Sequence, residues 1–395
     1  MSDGQTWGEW VATGPRRAGG TADVFQAQRG EQLAAIKWAR DPDKAARQLT
    51  RERDALLQIA AHDPASAQWV VAVLDHGTRD GRPWVALPWF GHTLRSFAAA
   101  APTTLARLRA CEAATNALFR MHGSSAAIGS PRLHRDVKPD NFLVEGGAVV
   151  LADLGTTRAD SLADVVTPTV VYTPRYAPVE QTLSLSRPPD PSVDSYALAV
   201  TIYTCLTGTE PDSKGAFVPY TPAGARLLDA QSRRDPDPEL EGLRRRPLAE
   251  LVRLDEMSTL ASTDENRLAH RLADDLGEAP GRAVAEVLVP ALRAALEPDP
   301  DRREGDLRRL AAALESARRL LGDDALVASS RGPRADPGGP APPPGTATGR
   351  PAPPDPEPFR LPERVEEDDP VARYTLVMIG LSLVTLIVVL ALSSP

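Results

Sequence analysis

Apolar residues in the first ninety positions fall in short runs of period two or in brief unbroken stretches. They occur at Val11-Ala12, 24–27, 33–36, 70–74 and 84–87. Side chains on a strand alternate between faces, so these runs predict strands. Gly19-Gly20, His76-Gly77 and Asp80-Gly81 punctuate them as turns. One helical stripe interrupts at 43–60, with Leu49, Leu56 and Ile59 on one face. Beyond residue 91 the apolar period lengthens to that of a helix, most clearly over 105–121 and 195–206. The pattern predicts an α+β protein, with a small β-rich lobe at about 8–90 and a larger helical lobe at about 91–320.

The pattern then changes twice. Residues 323–370 are rich in Pro, Gly, Ala and acidic residues and lack an apolar period, which predicts an extended flexible linker. Residues 375–392 are uncharged and almost wholly apolar. As a helix that run is about 27 Å long, close to a hydrocarbon core of about 30 Å, so a transmembrane helix is expected at 374–392. Arg364 and Arg373 flank its N-terminal side. By the positive-inside rule they place the preceding lobes in the cytoplasm, held at the cell membrane by a single-pass C-terminal anchor with no sensor domain beyond it.

Composition narrows the function classes. The net charge of -8 argues against a nucleic-acid binder. Cys111 and Cys205 sit in separate apolar patterns and read as reduced, packed thiols. The 6 histidines lack the close pairing that a structural metal site needs. Lysine is confined to positions 37, 44, 138 and 214, while arginine fills the other basic positions. Two of those lysines fall inside the motifs below, where phosphate chemistry favours a compact ammonium.

His134-Arg135-Asp136-Val137-Lys138-Pro139-Asp140-Asn141 places an acid, a lysine and an amide within one short turn. Ala35-Ile36-Lys37 ends an apolar run, and Glu52 lies on the following helical stripe. Asp153-Leu154-Gly155 follows the apolar run 149–152. Arg17-Ala18-Gly19-Gly20-Thr21-Ala22-Asp23-Val24 stands just before a strand. Thr173-Pro174-Arg175-Tyr176-Ala177-Pro178-Val179-Glu180 and Val193-Asp194-Ser195-Tyr196 complete the set.

In these residues, residues 10–310 of the chain resemble a bacterial eukaryotic-type (Hanks-type) Ser/Thr protein kinase with a membrane anchor. The resemblance implies a bilobal protein-kinase fold over 1–320, with ATP and Mg2+ as cofactors and Mn2+ as an alternative metal. Asp136 then orients the acceptor hydroxyl and Lys138 neutralises the transferred group, while Asn141 and Asp153 hold metal. Gly19, Gly20, Val24, Ala35, Lys37 and Glu52 form the ATP site, with Val24 and Ala35 enclosing adenine and Lys37 paired to Glu52. Leu56, Leu154 and His134 are expected to stack between the lobes. Residues 156–173 become an activation loop in which Thr167 and Thr169 are autophosphorylation sites and Arg135 pairs with the phosphate. Asp194 and Glu180 have structural roles, Glu180 pairing with Arg302 or Arg303. The stretch 212–290 exceeds the usual length and reads as a solvated helical insert.

Protein substrates, the cytoplasmic membrane and a second copy for trans-autophosphorylation are the implied partners, and no nucleic acid. Arg17 and Ala22 replace two glycines of the family's phosphate loop. They favour one competing reading, a catalytically weak pseudokinase acting as a membrane-tethered binding or scaffold module. A small-molecule phosphotransferase is disfavoured by Lys138-Pro139 and by the loop ending at Glu180.

Overall fold

The structure is a computed structural model that describes residues 4–19, 22–101, 103–123, 132–154, 173–185, 190–211, 218–233, 238–257 and 260–322. The chain divides into two units, Met1–Ser330 and Arg331–Pro395, and all described residues lie in the first. The expected linker at 323–370, the expected span at 374–392, and Gly20, Gly155, Thr167 and Thr169 lie outside the described residues. Among the described residues no helix is long and apolar enough to cross a membrane.

The first lobe is built on β1 (Thr6–Trp7), β2 (Trp10–Ala12), β3 (Arg17–Ala18), β4 (Ala22–Arg29) and β5 (Gln32–Ala39). These precede helices α1 (Lys44–His62) and α2 (Pro64–Ala67), then β6 (Asp75–Arg79) and β7 (Arg82–Pro88). The strands form one antiparallel sheet in the order β1-β2-β4-β5-β7-β6, with β3 also paired to β4. Phe25, Ile36 and Ala86 are in register on one face and join Trp7, Trp10, Trp38 and Trp84 in a buried cluster. Arg82 lies 3.5 Å and Arg79 5.4 Å over Trp38, so guanidinium groups roof the indoles. Alternation turns Val24, Lys37 and Val85, also in register, to the opposite face.

The second lobe begins with β8 (His92–Thr93), α3 (Leu94–Ala100) and α4 (Thr104–Gly123). A short 3-10 turn (Pro139–Asn141) leads into the hairpin β9 (Phe142–Glu145) and β10 (Ala148–Leu151). Helices α5 (Val179–Thr182), α6 (Ser192–Thr207), α7 (Pro222–Arg233), α8 (Pro238–Arg244), α9 (Leu248–Leu251), α10 (Ser262–Leu276), α11 (Glu278–Ala295) and α12 (Leu307–Leu321) follow. One buried cluster runs from Leu49, Leu56 and Ile59 of α1 through α4 and α6 to α12, so the lobes share a continuous core.

Two expectations are corrected. The apolar run 70–74 is not a strand: Val70 makes an isolated bridge to Leu151, and the ladder starts only at Asp75. Val70 and Val71 are buried where the chain passes β10, with the Val71 amide donating to Leu151 at 2.9 Å. Apolarity there reports burial between elements rather than a pleat. The described residues of 212–290 do not form a solvated insert. Leu227, Leu240, Leu243, Leu248, Leu251 and Val252 form a third core with Val179 and Leu183, while Leu268 and Leu272 join the main one. Beside the charged run Arg244-Arg245-Arg246, Leu240 and Leu243, Leu248 and Leu251, and Leu268 and Leu272 stand three or four apart, which is the spacing of a buried helical face.

Candidate active site

Lys37 projects from β5, and its Nζ lies 2.7 Å from Glu52 Oε1 on α1. Glu52 shares the buried face of α1 with Leu49, Leu56 and Ile59, so helical periodicity carries it inward. Asp153 Oδ1 lies 3.8 Å from the same ammonium. Burial opposes the charge on Lys37, but the Glu52 and Asp153 carboxylates outweigh it and hold its pKa above the ordinary lysine range. Burial raises the pKa of Glu52 against the pull of Lys37, whereas Lys37 holds Asp153 below the usual carboxylate range. One cation thus stabilises two carboxylates from different elements.

Asp136 is the centre of the turn from His134 to Asn141. Its Oδ2 accepts from Lys138 Nζ at 2.7 Å, and its Oδ1 accepts from both the amide and the hydroxyl of Thr173 at 2.8 Å. Lys138 Nζ also reaches Thr173 Oγ1 at 2.9 Å. Asn141 Nδ2 donates to the Asp136 carbonyl at 2.8 Å, which leaves its side-chain oxygen as the acceptor available to a cation. Thr173 is a site residue that sequence reasoning left at the end of a loop. The available signal was a Thr-Pro seven residues before Glu180.

The backbone of this turn is held from below. Arg135 and Asp153 have φ of 65° and 62°, a left-handed conformation that costs a non-glycine residue about 1–2 kcal/mol. Asp194, fully buried on α6, accepts from the amides of His134 and Arg135, each at 2.7 Å, and from His122 Nε2 at 2.8 Å. Gln181 Nε2 donates to the Arg135 carbonyl at 2.6 Å. Burial works against the Asp194 anion, yet the His122 contact and these donors hold its carboxyl below the usual range. The His134 ring donates through Nε2 to the Ala152 carbonyl at 2.9 Å, tying the turn to the residue before Asp153. Leu56 and Leu154 belong to one buried cluster, and His134 is fully buried.

Glu180 pairs with Arg303, which donates through Nη1 at 2.5 Å and Nη2 at 3.2 Å. The Arg303 side chain has no exposure and also donates to the carbonyls of Glu297 and Pro298. Arg302 is exposed. Chain geometry after α11 therefore settles a choice that two adjacent arginines left open.

The phosphate-loop side is looser. Val24 and Ala35 lie half-buried on the Lys37 face of the sheet. Gly19 turns so tightly that an added Cβ would stand 2.7 Å from the Ala22 carbonyl, so glycine is required there. Arg17 is exposed on β3, with its guanidinium 5.9 Å from the Trp89 ring centroid.

Hard oxygen donors suit Mg2+, which usually takes one or two carboxylates and completes its shell with phosphate and water. The Asn141 amide oxygen and the ionised Asp153 carboxylate fit that demand. Among the described residues no group of three His, Cys, Asp or Glu side chains could form a metal cage.

Residues 18–216, half of the chain, match the protein kinase domain family. The chain belongs to that family. Family members use ATP and a divalent metal. The chain is similar to serine/threonine-protein kinase PknL of Mycobacterium tuberculosis, 35% identical over 148 residues, or 36% of this chain and 35% of that protein. It is similar to serine/threonine-protein kinase PknJ of Mycobacterium bovis, 32% identical over 216 residues, or 50% of this chain and 34% of that protein. A shorter likeness, 40% over 80 residues, links 20% of the chain to 6% of serine/threonine-protein kinase TIO of Arabidopsis thaliana. The chain thus spans about a third of the length of the bacterial relatives it matches.

Proposed function

We propose that this chain is a Ser/Thr protein kinase that transfers the γ-phosphoryl group of ATP to protein hydroxyls. One observation carries the reading: Asp136, Lys138 and Thr173 converge within 2.9 Å of one another, in the same structure that forms the Lys37–Glu52 pair. Asp136 orients the acceptor hydroxyl and takes its proton. The acceptor O–P bond forms as the bond from phosphorus to the β–γ bridging oxygen breaks, and ADP leaves. Lys138 offsets charge on the transferring group. Lys37, aligned by Glu52, holds the α- and β-phosphates, and Val24 and Ala35 cover the base. Mg2+, when held by Asn141 and Asp153, supplies charge neutralisation on the phosphates. Because little covalent chemistry falls to the protein, rate comes from positioning and electrostatics. The lysine two places after Asp136 favours serine and threonine as acceptors.

The reading extends to regulation and place. Thr167 and Thr169 serve as autophosphorylation sites, with Arg135 as the phosphate partner. The apolar run 375–392 anchors the cytoplasmic kinase to the cell membrane, where neighbouring copies phosphorylate one another. The support is compositional: an uncharged run of spanning length, preceded by Arg364, Arg373 and a proline-rich stretch.

The test incubates the purified full chain with Mg2+, γ-labelled ATP and a serine- and threonine-rich protein acceptor. Label should appear on chain and acceptor in wild type and be lost in Asp136→Asn. ATP binding without any transfer would replace this reading with the pseudokinase that Arg17 and Ala22 favour. A membrane fraction that does not retain the full chain would remove the anchor.

A further inference from the structure

Arg95 lies outside every motif discussed above. It is the second residue of α3, whose start is fixed by a capping box: the Ser96 amide donates to Thr93 Oγ1 and the Thr93 amide donates to Ser96 Oγ. From that position Arg95 Nε stands 3.0 Å from both carboxylate oxygens of Asp140, and Nη2 donates to the Tyr176 hydroxyl at 2.7 Å. The Tyr176 hydroxyl in turn donates to Glu210 Oε1 at 3.1 Å. Glu210 also lies 3.6 Å from Arg175. The chain of donors runs in one direction, from a cation through a phenol to an anion. Four segments distant in sequence supply it.

The two residues that Arg95 holds flank the reacting centre on different loops. Asp140 is the neighbour of Asn141, whose amide nitrogen donates to Asp136. The Tyr176 amide donates to the Thr173 carbonyl at 2.9 Å, and Thr173 binds the Asp136 carboxylate from the other side. The planar fork aims Nε at Asp140 and Nη2 at Tyr176 from separate nitrogens in fixed directions, whereas an ammonium offers one nitrogen, which is why arginine suits the position better than lysine. Tyr176 is buried, and its pKa is pushed up to about 12, by burial first and with Glu210 assisting, so the hydroxyl remains a donor. The Arg95 and Asp140 side chains are 40% and 43% exposed. A pair that open to water contributes little to stability. Its consequence lies in geometry.

We infer that Arg95 is a positioning residue that clamps the Asp140 turn to the Tyr176 loop and so sets the distance between Asp136 and the bound acceptor. The inference rests on the kinase reading above and adds a residue to it. Loss of the clamp lets the Tyr176 loop drift relative to Asp136. Displacements of about 1 Å at a reacting centre cost on the order of tenfold to a hundredfold in rate. The nucleotide, held by Lys37 and Glu52 on other elements, is little affected.

The experiment compares wild type, Arg95→Ala, Arg95→Lys, Asp140→Ala and the double variant Arg95→Ala/Asp140→Ala as full chains. It reads peptide phosphorylation, ATP hydrolysis without acceptor, and melting temperature. Arg95→Ala and Arg95→Lys should lower kcat/KM for the peptide by about tenfold. KM for ATP and the melting temperature should stay near wild type, and the ratio of transfer to hydrolysis should fall. The double variant should be no worse than Arg95→Ala alone, because the two residues act as one unit. Unchanged peptide kinetics in Arg95→Ala would overturn the clamp. So would an equal fall in transfer and hydrolysis, a collapse in melting temperature, or fully additive losses. A wild-type chain that hydrolyses ATP or binds it but never phosphorylates a peptide sinks the kinase reading itself, and the clamp with it.

Discussion

Asp136 and Arg17 both belong to the candidate site, yet their surroundings differ in kind. Asp136 is 7% exposed and receives bonds from Lys138, Thr173 and Asn141, while its turn hangs from Asp194 and Gln181. Arg17 is exposed on a two-residue strand, secured by its ladder to β4 and a distant contact with Trp89. The first environment is over-determined: each carboxylate oxygen of Asp136 accepts two bonds, those from Thr173 spanning 37 residues, and even left-handed backbone at Arg135 is tolerated. The second is set by backbone pairing, which accepts many side chains. Side-chain identity therefore counts for most around Asp136 and for least at Arg17, which the sheet holds by backbone pairing. Gly19 marks the limit of that tolerance, since its tight turn admits no Cβ.

The comparison can be broken most directly at Asp136. Asp136→Asn should lower phosphoryl transfer by about 10³-fold or more, about 4 kcal/mol of barrier, with an unchanged melting temperature. Substantial residual transfer would mean the bonded web does not serve chemistry. Next comes the buried support. Arg303→Met leaves Glu180 unpaired in the interior and should cost about 3–5 kcal/mol in urea unfolding. A loss near that of a surface pair would show that the support is redundant.

A third measurement uses pH. The folded pKa of Asp194 is depressed, so its contribution is fully present above the ordinary aspartate value of about 4 and is lost as pH falls through the folded value. The stability gap between wild type and Asp194→Asn should therefore be largest near neutrality, on the order of 2 kcal/mol, and close in acid. A gap independent of pH would contradict an ionised, hydrogen-bonded anchor. The smallest effect belongs to the looser wall. Arg17→Gly removes a cation–π contact worth about 0.5–1 kcal/mol at an exposed site. Unfolding stability should fall by no more than that, with kcat and KM for ATP little changed. A large fall in kcat would place Arg17 in the chemistry and erase the contrast.

Spacing along the chain determined much of this protein. The turn from His134 to Asn141, the strand ending at Lys37, and Glu52 three residues from Leu49 and four from Leu56 are local patterns. Local periodicity is read from sequence because it follows from the strand pleat and the helical turn. The two-lobed α+β order followed from the same periods. Other features were decided only when distant segments met. The choice of Arg303 over Arg302 depends on a pair 123 residues apart. The place of Thr173 on Asp136 spans 37 residues, and that of Arg95 on Tyr176 spans 81. The packing of Leu227, Leu240 and Leu251 with Val179 and Leu183 likewise joins remote residues. Sequence states which side chains are available and which face of an element they occupy. Which of them touch is set by the packing of the whole lobe, because contact depends on where distant backbones are brought together, and no local period encodes that.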